Sequence, residues 1–141
     1  AAFGHPVMVE YLLKEMESED PAAAAGAAAA FGRMLGVAVE SGRRATIPPA
    51  DGTAPDEFEA EFLDEVRLPD LPRARGQWEQ LRPKLASASR VARGIDVSAG
   101  LTRETFALLD MESRHELCLR ARLTAGWTGT PLVLEQFPLR A

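Results

Sequence analysis

The sequence predicts an all-α chain, and three observations carry that expectation. Residues 22–30 are eight alanines and one glycine directly behind Asp20-Pro21, a helix start followed by the residue of highest helix propensity. Phe58, Phe62 and Val66 recur at i, i+4 and i+8, the spacing of one helix face. Trp78, Leu81 and Leu85 repeat the same three- and four-residue steps further on. The chain has 141 residues, 46% apolar and 26% charged, as in an ordinary globular protein. A chain of that length buries roughly two-thirds of its unfolded surface, enough for one core without staples.

The elements follow in order. Pro6 suits the first turn of a helix over 6–17, with Val7, Tyr11 and Met16 on its apolar face and Leu12 and Leu13 broadening it. Glu17-Ser18-Glu19-Asp20 is a polar turn. Asp20 caps a second helix, Pro21 is its first residue, and Gly36 stops it. Residues 38–55 contain Ser41-Gly42, Pro48-Pro49 and Pro55, and read as an extended linker. A third helix is expected over 56–66, with Phe58, Phe62, Leu63 and Val66 on one side and Glu57, Glu59, Glu61, Asp64 and Glu65 opposite. Leu68-Pro69-Asp70-Leu71-Pro72 breaks it. A fourth helix spans 73–86, with Pro83 disturbing its last turn. Residues 87–100 read as loop with room for a short strand at Ile95 and Val97. Thr102 caps a fifth helix carrying Phe106 and Leu109. Residues 111–125 show alternation at 117–123, but their length favours a helix. The tail Thr130-Pro131-Leu132-Val133-Leu134 is extended and fits a short edge strand. The expected division is a helical hairpin over 1–37, a Pro-rich linker over 38–55 and a small helical C-terminal unit over 56–141.

Composition excludes several functions. Residues 1–70 carry a net charge of −9 and residues 71–141 of +4, within a total of −5. An acidic chain without aromatics interleaved among its basic residues is a poor nucleic-acid binder. No apolar run approaches the roughly 18 residues of a membrane span. The single cysteine, Cys118, excludes an internal disulfide and a Cys-based zinc site. No signal peptide opens the chain, so a cytoplasmic location is expected. The absence of an initial Met fits a processed product or a fragment.

Gly4-His5-Pro6, the helix with Leu12-Leu13, the acidic turn ending in Asp20-Pro21, and the helix Ala27 to Phe31 closed by Gly36 resemble a HEAT-type repeat. Further on stand Leu68-Pro69-Asp70, Trp78, Arg90 to Gly94, Leu101-Thr102, Arg114 to Leu123 and Gly129-Thr130-Pro131-Leu132. In that order they resemble the C-terminal part of an uncharacterised bacterial HEAT-repeat family, some of whose members are encoded near type VI secretion genes. The chain has Gln77-Trp78 where that family often has a Trp pair, and Val91 where it often has Tyr. The resemblance implies a helical scaffold or adaptor accessory to secretion, with further repeats before residue 1. It carries over no catalytic residue.

His115 and Cys118 stand three apart on a helix, with no orienting partner and no oxyanion hole, so a small core cysteine is expected. Glu57, Glu61 and Glu65 form a carboxylate ladder if they share one helix. Its ordinary meaning is a solvated face, and its functional meaning is a contact surface for a basic protein partner. The alternative is a small metal-dependent hydrolase, which needs a second convergent acidic set. Gly126-Trp127-Thr128-Gly129 presents Trp127 on a turn, as a lid on the core or as an interface anchor. The sequence therefore points to a non-enzymatic protein–protein interaction scaffold with no cofactor and no metal. Its expected contact residues are Glu57, Glu61, Glu65 and Trp127, and a homodimer through the N-terminal repeat is open to it.

Overall fold

The computed structural model describes residues 4–49, 52–99 and 102–125. Its first helix is α1 (Met8–Glu15). The His5 imidazole accepts the Val7 N–H through Nδ1 at 3.2 Å just before it. α1 buries Val9, Leu13 and Met16, whereas Val7 and Tyr11, expected inside, are 67% and 55% exposed. Both sets have helical spacing, and only the packing of α2 (Pro21–Leu35) decides between them. α2 follows its local signals. The Asp20 carboxylate accepts the Ala22 N–H at 2.9 Å, and Gly36 ends the helix in the left-handed region at φ 74°.

The all-α expectation is overturned by two antiparallel two-stranded sheets. Strand β1 (Glu40–Thr46) pairs with β2 (Glu65–Pro69), with Arg44 opposite Arg67, Ala45 opposite Val66 and Thr46 opposite Glu65. The register shifts between Glu40 and Arg44, and there the Ser41 hydroxyl donates to the Leu68 carbonyl at 2.8 Å. Ser41, Ala45, Val66 and Leu68 are half-buried, while Glu40, Arg44, Thr46, Glu65 and Arg67 face water. Two ion pairs lace the wet face, Arg44–Glu65 at 3.2 Å and Arg67–Glu40 at 3.3 Å. This alternation is the strand period. Consequently the third helix, α3 (Glu57–Ala60), is a single turn rather than a helix over 56–66.

The Asp70 side chain accepts the Arg73 N–H at 3.0 Å and caps α4 (Leu71–Leu81). Pro83 cannot donate in a helical ladder, and the chain tightens into a 3₁₀ turn over Arg82–Leu85. A hairpin follows, β3 (Val91–Ala92) with β4 (Ile95–Asp96), and Gly4 exchanges two backbone hydrogen bonds with Val91 at 3.1 and 2.9 Å. The hairpin turn closes the end of α2. The Arg93 and Gly94 N–H groups donate to the Arg33 and Met34 carbonyls at 3.1 and 2.8 Å, satisfying groups a helix end leaves open. Arg93 itself sits at φ 51° and Gly94 at φ 76°.

Helix α5 (Arg103–Leu108) opens on a reciprocal cap between Thr102 and Thr105. Helix α6 (Met111–Ala125) covers the stretch with the alternating pattern. Asp110 caps it, accepting the Ser113 N–H at 2.9 Å and the Ser113 hydroxyl at 3.1 Å. Burial alone raises the Asp110 pKa. The two Ser113 hydrogen bonds and the nearby Arg93 charge outweigh that and hold it below its ordinary value. The Arg93 guanidinium lies in ion contact with Asp110, its Nε buried there without an aligned hydrogen bond.

The main core joins Val9, Leu13 and Met16 to Phe31, Met34, Leu35, Trp78, Leu85 and Val91. A smaller cluster holds Ala92, Val97, Leu109 and Leu117. The sequence spacing predicts Trp78, Leu81, Leu85, Phe106 and Leu109 in one cluster, but they divide. Trp78 and Leu85 belong to the main core with Leu81 at its edge, Leu109 to the smaller one, and Phe106 lies under the Arg114 guanidinium at 5.4 Å. No helix among the described residues is long and apolar enough to cross a membrane.

Candidate functional site

The most distinctive surface lies between the two strands of the ribbon, at α3. Phe58 and Phe62 are 70% and 69% exposed, and their ring centroids stand 4.9 Å apart in a tilted contact. Two phenylalanines left in water against each other cost hydrophobic free energy, because each ring buries only the edge it shares with the other. The local fold holds them there. α3 closes one turn, with the Ala60 N–H on the Asp56 carbonyl at 2.9 Å and the Glu61 N–H on the Phe58 carbonyl at 3.2 Å. The Ile47 N–H then takes the Asp64 carbonyl at 2.8 Å and starts the ribbon. With the chain committed to β2 at Glu65, the helix face that would have carried Phe58, Phe62 and Val66 to the core cannot form. Val66 turns to the half-buried side of the strand and the two rings stay outside.

The carboxylates divide accordingly. Glu57 and Glu61 precede Phe58 and Phe62 in the chain, are exposed, and have no ion-pair partner among the described residues. Glu65, expected on the same helix face, is on β2 and occupied by Arg44. The structure therefore brings Glu57 and Glu61 to the aromatic tip and separates Glu65 from them. Trp127 lies outside the described residues. The sequence reading missed Phe58 and Phe62 as surface groups. The signal available was the period-two run Glu65-Val66-Arg67-Leu68, which competes with the helical spacing for Val66.

A concavity lies between α1 and α4. Its volume is about 330 Å³ and its lining includes Glu10, Lys14, Glu17, Arg75, Trp78 and Glu79. Its polar groups are largely spent on one another. The Trp78 indole N–H donates to Glu10 Oε1 at 2.8 Å, Arg82 approaches the same oxygen at 3.8 Å, and Arg75 pairs with Glu17. This is a polar seam that fixes α1 on α4. Cys118 is half-buried and its thiol pKa is raised by burial, against the direction that activates a nucleophile. Among the described residues no three His, Cys, Asp or Glu side chains are placed to hold a metal ion.

The fold and its exposed tip define a small helix-and-ribbon chain that presents an aromatic, acidic surface. No protein-family model, no curated protein and no solved structure matches it.

Proposed function

We propose that the chain is a non-enzymatic protein–protein interaction module, a scaffold or adaptor, that makes contact through residues 56–64. The observation that carries this reading is the pair Phe58 and Phe62, both about seven-tenths exposed and in contact with each other. An adjacent pair of large aromatic rings in water is the kind of surface that interfaces bury, and aromatic anchors dominate binding energies. Glu57 and Glu61 add a negative rim, which selects a basic partner and speeds its approach.

The test is recovery of a partner from the source cell by the wild-type chain, F58S/F62S and E57K/E61K side by side. The reading expects one partner, lost with F58S/F62S and reduced with E57K/E61K at physiological salt. Equal recovery from all three contradicts it, and turnover of a nucleotide by the wild type, lost in E57K/E61K, replaces it with the hydrolase reading. Recovery of a spike or effector protein would support the secretion role that the HEAT-like resemblance suggests.

Self-association through the first helix is a second reading, favoured by Val7, Met8 and Tyr11, which expose one apolar side of α1. Light scattering over a concentration series tests it. A dimer broken by Tyr11→Glu supports it, and a monomer at every concentration rejects it.

A further inference from the structure

We infer that the tip at α3 docks against a basic amphipathic helix, an inference that rests on the contact-module reading above. Residues 52–66 contain six carboxylates, Asp56, Glu57, Glu59, Glu61, Asp64 and Glu65, and no Lys or Arg. The exposed Glu57 and Glu61 give the two rings a negative frame, while Glu65 is held by Arg44 on β2. Phe58 and Phe62 together form one compact apolar wedge, with centroids 4.9 Å apart. Along a helix, the Cβ atoms of apolar residues at i and i+4 stand roughly 5–6 Å apart, leaving a cleft of that scale between their side chains. One such stripe matches the two-ring wedge in repeat, and flanking Lys or Arg on the stripe's borders would meet Glu57 and Glu61. Those two carboxylates have no ion-pair partner within the described fold, so pairing them breaks no contact already made. An acidic helix, a nucleic acid or an anionic membrane would be repelled by the same frame. A neutral bilayer is the remaining apolar partner, and it gains nothing from the carboxylates.

The experiment uses the full chain and two synthetic helical peptides with the same apolar stripe, one bordered by Lys and the other by Glu. Peptide anisotropy reports binding at low and at physiological salt, and neutral phosphatidylcholine vesicles serve as a third probe. The Lys-bordered peptide is expected to bind, more weakly as salt rises. F58S/F62S and E57K/E61K should each lose about tenfold or more in affinity while keeping the wild-type circular dichroism spectrum. The Glu-bordered peptide should not bind. Equal affinity of the Lys-bordered peptide for wild type and both variants overturns the inference, because binding then lies elsewhere on the acidic surface. Binding of the Glu-bordered peptide, or uptake by neutral vesicles in place of the Lys-bordered peptide, also overturns it. If a cellular partner is lost with F58S/F62S while the Lys-bordered peptide fails to bind, the basic-helix inference falls and the contact-module reading stands.

Discussion

Trp78→Ala should remove a large part of this chain's stability. Trp78 is 5% exposed, packs in the main core and ties α4 to α1 through its bond to Glu10. A buried Trp removes roughly 150–250 Å² from water, worth about 4–6 kcal/mol at about 25 cal/mol per Å². Alanine keeps little of that, and measured aromatic-to-alanine losses in cores are about 3–5 kcal/mol. Trp78→Phe separates packing from the hydrogen bond. A bond to a charged group is worth about 1.5–3 kcal/mol when both partners are buried. The Glu10 side chain is 58% exposed and rehydrates when it loses the indole, so that bond should contribute only about 0.5–1 kcal/mol here. With a small cavity added, Trp78→Phe should cost about 1–2 kcal/mol, well under the alanine variant. Urea unfolding followed by far-ultraviolet circular dichroism measures both. A Trp78→Ala unfolding free energy within about 0.5 kcal/mol of wild type would refute the core placement. Equal losses for Phe and Ala would refute the division between packing and the hydrogen bond.

The other predictions concern backbone, charge and surface. A Cβ at Gly94 would stand 2.7 Å from the Leu35 carbonyl oxygen and one at Gly36 would stand 2.8 Å from that of Arg93, both at positive φ. Gly94→Ala and Gly36→Ala should each cost more than about 1 kcal/mol, read as a lowered melting temperature. Gly26 lies inside α2 with nothing within 4 Å of its added Cβ, so Gly26→Ala should stabilise by about 0.5–1 kcal/mol. Asp110 has a folded pKa below its ordinary value of 3.8, so its ionised form stabilises the fold above that pH. This contribution should fade as pH falls through the lowered folded value, and the stability gap between wild type and Asp110→Asn should narrow with it in acid titrations. F58S/F62S should leave the melting temperature within about 0.5 kcal/mol equivalent of wild type, because neither ring is in a core cluster. A large drop would place them in the fold instead of on a contact surface.

Local chemistry made α2 readable. Asp20, Pro21, the alanine run and Gly36 are signals that act within a few residues of themselves. The α1 and α4 positions were readable in outline, but not which side of α1 turns inward, because Val7/Tyr11 and Val9/Leu13 have equal claims by spacing. Asp70 and Pro72 read as breakers of a preceding helix, and in the fold they start α4. The ribbon was hidden for a physical reason. Its pairs join residues 19 to 29 positions apart, and Val66 satisfies both the helical step from Phe62 and the alternation with Leu68. Once long-range pairing claimed Val66, the aromatic face predicted for the core became the exposed tip. Glu57 and Glu61 were legible as solvated acids. That Phe58 and Phe62 join them in water depends on the tertiary choice made at Glu65. Gly94 lies in a stretch legible as loop, but its role in closing α2 could not be read, since the Met34 carbonyl it satisfies lies sixty residues earlier.

The central claim, that the chain acts by contact through α3 and the turn after it, is tested most directly by a photoreactive phenylalanine analogue placed at position 58 of the full chain. The same analogue goes at exposed Arg73 on α4 as a control. After irradiation in the source cell, the account predicts one discrete protein adduct at position 58, absent at position 73 and lost when E57K/E61K is added. No adduct at position 58, or the same adducts at both positions irrespective of E57K/E61K, would contradict it.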